Sequence, residues 1–122
     1  MKSPSLLASF RFAIEGIVYT FRTQRNFKIH CAITLAVVAV GLWVGLGADQ
    51  WAILAITVAL VFVAELLNTA LEAIVDHVAP EFHALAKVAK DCAAGAVLLT
   101  AFFAVIVGLL VVGPGLLARL IG

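Results

Sequence analysis

A row of polar side chains with helical spacing lies inside a strongly hydrophobic stretch of the chain. Its members are separated by three, four and four positions: Glu65, Asn68, Glu72 and Asp76. At about 100° and about 1.5 Å per residue, an α-helix would hold them within an arc of about 80° along about 16 Å of one face. Such a stripe must face protein or water, because the residues between its members are mostly apolar.

The energetic cost of this stripe favours a functional interpretation. An acidic side chain near the centre of a bilayer costs about 2.5–3.5 kcal/mol on insertion scales, and alanine would insert better. Polar contacts that hold helices together are the structural alternative. Five of the seven acidic residues fall between positions 65 and 91, beside Lys90. This clustering favours chemistry over a purely structural role.

The residue types fit the transfer of a phosphoryl group. Clustered carboxylates bind Mg²⁺ through oxygen, and Mg²⁺ accompanies the phosphates of ATP. A nearby lysine such as Lys90 can neutralise a phosphoryl group during its transfer. A deeper, partly desolvated carboxylate such as Glu65 suits a general base. The sequence has neither a GxxxxGK[ST] motif nor a kinase-type glycine loop, so a nucleotide site here would not be of the common types.

Ion movement is the alternative function that the same row allows. Intramembrane acids mark many proton relays and cation pathways, and a three-span chain could form an oligomeric proton or cation conductor. However, the segment after Asp91 has no charged residue before Arg119, and the outer half of the second span has only Thr57 as a polar side chain. An oligomer is expected in either case, because one thin helical unit can hardly shield the row from lipid.

Composition places the whole chain in the membrane class. Of its 122 residues 65% are hydrophobic and 12% are charged, and the mean hydropathy is +1.19. Soluble domains are usually about 45–50% apolar and about 25% charged. The length allows a single domain, 1–122. A net charge of +1 without a basic stripe argues against a nucleic-acid partner. Cys31 and Cys92 are too far apart in sequence for a CxxC site and are interpreted as small buried hydrophobes.

The predicted architecture is an all-α integral membrane protein with a surface helix and three transmembrane helices. Apolar residues recur at helical spacing within an N-terminal amphipathic segment of about 4–24: Leu6, Phe10, Ile14, Ile17 and Phe21. Three long apolar runs then predict spans at about 28–47, 51–77 and 86–112. Pro114, between two glycines, is expected to end the third span.

The distribution of basic residues predicts the orientation. Five of them precede the first span: Lys2, Arg11, Arg22, Arg25 and Lys28. Lys87 and Lys90 lie between the second and third spans, whereas the loop at 48–50 has no basic residue. The positive-inside rule therefore places the N-terminus and the polar row on the cytoplasmic side of a bacterial inner membrane.

Several segments resemble the bacterial diacylglycerol kinase / undecaprenol kinase family. They are SFRFA at 9–13, TQRNFKIH at 23–30, ELLNTALEAIVD at 65–76, EFH at 81–83 and AKVAKDCAAGAV at 86–97. The resemblance covers roughly residues 5–110. It implies a homotrimer with active sites shared between protomers, and transfer of the γ-phosphate of Mg-ATP to the hydroxyl of diacylglycerol or undecaprenol.

The resemblance also implies roles for individual residues. Glu65 matches the catalytic base, which Asn68 supports. Glu72 matches a metal-binding carboxylate, Lys90 a γ-phosphate contact and Asp91 a nucleoside contact. Further nucleotide contacts are implied for Glu81, Phe82 and His83, and Asp76 has a supporting role on the same face.

One position departs from the family pattern. A glutamate commonly stands where this chain has Gln24, and it helps the residue matched by Glu72 to hold the metal. A neutral amide is a poorer ligand for Mg²⁺, so Gln24 is a doubtful second metal ligand. The AKVAKD and AAGA segments look more like the undecaprenol branch, but both lipids present a hydroxyl at the same depth, so the polar row does not choose between them.

Overall fold

A computed structural model describes residues 5–122 of the chain and contains four α-helices in that range. Their bounds are α1 Leu6–Thr23, α2 Arg25–Val44, α3 Ala48–Val78 and α4 Ala84–Ile121. Position 4, with which the predicted surface helix began, lies outside the described residues. The described part of the fold is therefore all-helical, as the sequence predicted.

Three of these helices are long and apolar enough to cross a membrane: α2, α3 and α4. They contain 20, 31 and 38 residues. At about 1.5 Å per residue, α3 and α4 are longer than the roughly 30 Å of bilayer hydrocarbon. Each is therefore long enough to cross the hydrocarbon, and the helices of the three predicted spans are all present.

Local signals at the helix ends explain where the helices differ from the predicted spans. Gly45 has φ 83°, a left-handed conformation that glycine adopts without strain, and its N–H donates to the Gly41 carbonyl at 2.9 Å. This turn ends α2 at Val44, before the predicted bound of 47. At the other end α2 begins at Arg25, directly after Gln24 leaves helical geometry with φ −109° and ψ 112°.

Helix α4 does not end at Pro114, where the sequence suggested a stop, and continues to Ile121. Proline removes one backbone donor and leaves the carbonyl four residues earlier without its helical partner. Transmembrane helices tolerate such a residue when neighbouring groups compensate. The adjacent Gly115 lies against Val44 of α2, so closely that a Cβ atom at this glycine would overlap the valine side chain.

The helices pack around a narrow core in which α3 makes its largest contact with α4. The buried apolar side chains are Phe27, Leu54, Val61, Val97 and Val112. The Phe27 and Phe62 rings lie 5.0 Å apart and join α2 to α3. Most other large apolar side chains are exposed on the single chain, which is the surface expected for contact with lipid or with other helices.

Helix α1 touches α2 and α3, and near its C-terminal end the Phe21 ring lies 6.4 Å from the Phe27 ring of α2. Thr20 is buried there, and its hydroxyl donates to the Gly16 carbonyl at 2.9 Å. The remaining side chains of α1 are mostly exposed, including the apolar residues that predicted an amphipathic surface helix. The helix itself is present, and its position on the membrane surface stays a prediction.

Candidate active site

Glu65 is the most deeply buried large side chain of the described chain, with 2% of its surface exposed. It lies beyond the middle of α3, and Thr69 one turn later is also buried. The Thr69 hydroxyl donates to the Glu65 backbone carbonyl at 2.9 Å, which satisfies this polar group within the helix. The Glu65 carboxylate is therefore shielded from solvent, where its charge interacts more strongly than it would in water.

His30 of α2 lies beside this carboxylate, and the sequence did not predict it as a site residue. Its Nε2 is 3.2 Å from Glu65 Oε1, within ion-pair distance. The contact is not aligned as a hydrogen bond, so the buried Oε1 has no hydrogen-bond donor among residues 5–122. The one available signal was a titratable side chain at the start of an uncharged apolar run.

Asn68 and Glu72 form the middle of the polar row. Asn68 Nδ2 donates to Glu72 Oε1 at 3.3 Å, and both side chains are partly buried. Asn68 Oδ1 is buried and accepts no hydrogen bond within the described residues. An amide donor therefore fixes the Glu72 carboxylate, while an amide oxygen next to it is free for a ligand.

Asp76 ends the row and binds Lys90 of α4. Lys90 Nζ donates to Asp76 Oδ1 at 2.5 Å. The two residues are 14 positions apart, on either side of the segment that connects α3 to α4. The structure thus brings the predicted phosphate-binding lysine to the exposed end of the carboxylate row that the sequence predicted.

The predicted nucleotide-binding residues lie at and after the same connection. Glu81, Phe82 and His83 are exposed, and His83 Nδ1 accepts the Leu85 N–H at 3.1 Å, which caps the start of α4. Asp91 is also exposed and accepts a bond of 2.6 Å from Lys87, one turn earlier on α4. These side chains are therefore exposed at the connection between α3 and α4 and on the first turns of α4.

Gln24 lies at the junction of α1 and α2, apart from these pairs. Its Nε2 donates to Thr23 Oγ1 at 3.3 Å, and it forms no hydrogen bond to Glu72 in the described structure. Within residues 5–122, no group of three or more His, Cys, Asp or Glu side chains is arranged to hold a metal ion. Mg²⁺ commonly uses one or two protein carboxylates together with phosphate oxygens, so the oxygen atoms of Glu72 fit this ion when a nucleotide supplies the rest.

This arrangement separates two kinds of chemistry along one face of α3. At its buried end, Glu65 can accept a proton from a hydroxyl that enters from the membrane. At its exposed end, the Glu72 carboxylate and Lys90 can hold a phosphate group and its cation. Asn68 lies between the two ends on the same helix face. The geometry therefore suits transfer of phosphate from a water-soluble donor to a membrane-embedded alcohol.

Comparison with known proteins agrees with this geometry. The sequence profile of the family described as "Prokaryotic diacylglycerol kinase" matches residues 11–112. The chain is 52% identical over 120 residues to a diacylglycerol kinase of Synechocystis, across 98% of this chain and 69% of that protein. It is 45% identical over 108 residues to the undecaprenol kinase of Bacillus subtilis, across 88% of both chains.

A more distant relative shows the same relationship. The chain is 38% identical over 95 residues to the diacylglycerol kinase of Escherichia coli strain K12, across 78% of both proteins. The residues that the family profile matches include the whole of α3 and the start of α4, where the polar row and Lys90 lie. The chain therefore belongs to the prokaryotic diacylglycerol kinase family and is a phosphotransferase that acts on the alcohol group of a lipid.

Proposed function

We propose that the protein transfers the γ-phosphate of Mg-ATP to the hydroxyl of diacylglycerol or undecaprenol at the cytoplasmic surface of the bacterial inner membrane. The observation that carries this proposal is the solvent-shielded Glu65 carboxylate, which begins a polar row that continues to the Asp76–Lys90 pair. A lipid hydroxyl requires a base at membrane depth. A soluble phosphate donor requires a positively charged group at the membrane surface.

Glu65 is the general base in this proposal. The lipid hydroxyl enters from the bilayer, where its apolar chains remain, and approaches the buried carboxylate. Glu65 takes the hydroxyl proton as the oxygen attacks the γ-phosphorus. Asn68, next on the same face of α3, supports this step through its amide N–H, which donates to Glu72 and orients that carboxylate.

Lys90 and the residues around it hold the nucleotide. The Lys90 ammonium exchanges Asp76 for the γ-phosphate and stabilises the charge that develops during transfer. Asp91 would contact the nucleoside, and the exposed segment 81–83 would line the nucleotide.

Glu72 holds Mg²⁺ in this proposal, with its carboxylate oriented by Asn68. When bound, Mg²⁺ neutralises the phosphate oxygens and favours departure of ADP. Gln24 is the weak point of this metal site, because a neutral amide oxygen attracts Mg²⁺ less than a carboxylate does. A homotrimer would supply additional protein atoms around each site and would cover the exposed apolar faces of the single chain.

The test is transfer of radiolabel from γ-labelled ATP in mixed micelles that contain Mg²⁺ and either diacylglycerol or undecaprenol. We expect label in at least one lipid, and the ratio of the two identifies the preferred alcohol. Glu65→Gln keeps the side-chain size but removes the base, and we expect a loss of roughly 100- to 10,000-fold in kcat. Light scattering in mild detergent gives the oligomeric state of both proteins, so that an assembly defect is distinguished from lost chemistry.

Two results would contradict the proposal. Full turnover by the Glu65→Gln variant would remove Glu65 as the base. Absence of label in both lipids, from oligomeric wild-type protein and also from a Gln24→Glu variant, would reject the kinase itself. In that case, dissipation of an ion gradient in liposomes without ATP would support the conductor alternative.

A further inference from the structure

We propose that His30 is the proton acceptor for Glu65, receiving the proton that Glu65 removes from the lipid hydroxyl and releasing it to the aqueous side. This inference rests on the proposed function and deepens it, since it requires Glu65 to act as a base. It concerns a residue that the phosphate-transfer step itself does not use. The proposal depends on the burial of Glu65, the distance between the two side chains and the position of His30 in α2.

A buried base needs a route by which it loses its proton. Glu65 must be ionised again before the next lipid hydroxyl binds, yet its side chain is only 3% exposed. Thr69 and Phe27 are also buried, and neither can carry a proton as an acid or base near neutral pH. Direct release from the Glu65 carboxyl to water is therefore obstructed by the packing.

His30 meets the chemical requirements for this route. Its Nε2 is 3.2 Å from Glu65 Oε1, and it is the one basic side chain of residues 5–122 with a nitrogen within 4.0 Å of a Glu65 oxygen. Within the same range, no other acidic side chain lies within 4.0 Å of the imidazole. An imidazole gains and loses a proton readily near neutral pH. It can therefore take a proton from a buried carboxyl group that has no other exchange partner.

The position of His30 connects the buried carboxylate to the membrane surface. The imidazole side chain is 20% exposed, compared with 3% for Glu65. It lies five residues after Arg25, where α2 begins, or about 7.5 Å along the helix axis. The exposed Arg25 and Lys28 mark this end of α2 as the polar boundary of the bilayer.

The proposed step is balanced in protons and electrons. The lipid O–H bond breaks, its proton passes to the Glu65 carboxylate, and the oxygen forms the new O–P bond as ADP departs with the electron pair of the broken P–O bond. The imidazole, 3.2 Å away, turns into line with the protonated carboxyl group, and the proton then moves from Glu65 Oε1 to His30 Nε2, which gives a carboxylate and an imidazolium. A water molecule that reaches the partly exposed imidazole takes this proton from Nε2, and both residues return to their starting state.

The experiment compares two substitutions of His30 with a matched control. His30→Gln keeps an N–H donor near the position of Nε2 but cannot accept a proton, whereas His30→Ala leaves space for added imidazole. His77→Gln is the control, because His77 lies exposed in the last turn of α3 and is not part of the site. For each protein, kcat and both KM values are measured with the preferred lipid, together with detergent-resistant oligomer content.

We expect both His30 variants to lose roughly tenfold or more in kcat, with KM for ATP and lipid changed by less than about twofold. Added imidazole should restore a substantial part of kcat in His30→Ala, but should not stimulate wild type or His77→Gln. Wild-type kcat in an assembled His30→Gln variant would overturn the proposal, since a hydrogen bond alone would then suffice. Failure of imidazole to stimulate an assembled His30→Ala variant would overturn it as well.

The same data separate this proposal from the function on which it rests. If wild type phosphorylates a lipid and Glu65→Gln does not, the kinase function and the role of Glu65 as the base are supported, whatever the His30 variants show. If wild type phosphorylates neither lipid, both the kinase function and the proton route that depends on it are overturned. If His30→Ala does not assemble, the kcat of the assembled His30→Gln variant decides the question.

Discussion

Lys90 Nζ of α4 lies 2.5 Å from Asp76 Oδ1 of α3, so that a salt bridge spans the connection between the two helices. This pair joins the end of the carboxylate row to the start of α4. It gives Asp76 a physical role that the sequence left undefined, namely to hold the Lys90 ammonium near the row. Both side chains are partly exposed to solvent, which leaves Lys90 free to exchange its partner for a phosphate group.

Replacing Lys90 tests whether this ammonium acts during transfer. We expect Lys90→Ala to lower kcat by roughly 100-fold, with a much smaller change in the lipid KM, because the positive charge stabilises the transition state. Lys28→Ala is the matched control, since Lys28 is an exposed lysine of α2 that lies over the Phe21 ring and pairs with no site residue within residues 5–122. Steady-state kinetics with varied ATP and lipid check this prediction. A variant in which only the lipid KM rises would contradict the assignment.

Replacing Asn68 distinguishes a functional row from polar contacts that merely hold helices together. Asn68→Leu removes the donor to Glu72 and the buried amide oxygen that has no described partner. We expect kcat to fall by roughly 10- to 100-fold, because the carboxylate that we propose to hold Mg²⁺ loses its orienting group. The midpoint of thermal unfolding in detergent should not fall, since an apolar side chain replaces an incompletely satisfied polar one.

A lower unfolding temperature of Asn68→Leu, with loss of activity in proportion to the unfolded fraction, would favour the structural interpretation instead. Val75→Leu is a suitable control for added apolar volume on the same helix, because Val75 is partly buried in α3 and is not a predicted site residue. Its activity should remain close to that of wild type.

Restoring a carboxylate at position 24 tests the metal site. Gln24→Glu adds an anionic oxygen donor at the junction of α1 and α2, and Mg²⁺ binds such oxygens more strongly than amide oxygens. We expect the Mg²⁺ concentration for half-maximal activity to fall by about three- to tenfold. The measurement is activity against free Mg²⁺ at constant ATP. An unchanged Mg²⁺ dependence would mean that position 24 does not contribute to the metal site.

Close packing at the turn between α2 and α3 predicts that two glycine-to-alanine variants differ in their free energy of unfolding. A Cβ atom at Gly41 would lie 2.7 Å from Trp51 Cη2 and 3.0 Å from Leu46 Cδ1. Gly41→Ala should therefore lower the free energy of unfolding by about 1–3 kcal/mol. A Cβ atom at Gly108 would meet nothing within 4 Å, so Gly108→Ala is the control. Equal unfolding midpoints in detergent for the two variants would contradict this packing.

The apolar runs of the sequence predicted the helices well because each run must satisfy its backbone groups internally in lipid. Their ends were less predictable. Gly45 ends α2 by adopting a left-handed conformation, whereas Pro114 leaves α4 intact. These outcomes depend on neighbouring groups, since Val44 packs against the glycine that follows the proline. Local composition gives no direct signal for such contacts.

The polar face of α3 follows from the amino-acid sequence alone, because the helical repeat fixes which positions share a face. The spacing of Glu65, Asn68 and Glu72 is therefore enough to predict that they are neighbours. In contrast, the contact of His30 with Glu65 and the bond from Lys90 to Asp76 depend on the tertiary structure. Those contacts join different helices, and the rotation and height of each helix are set by packing across the whole interface, which the spacing of residues within one helix does not determine.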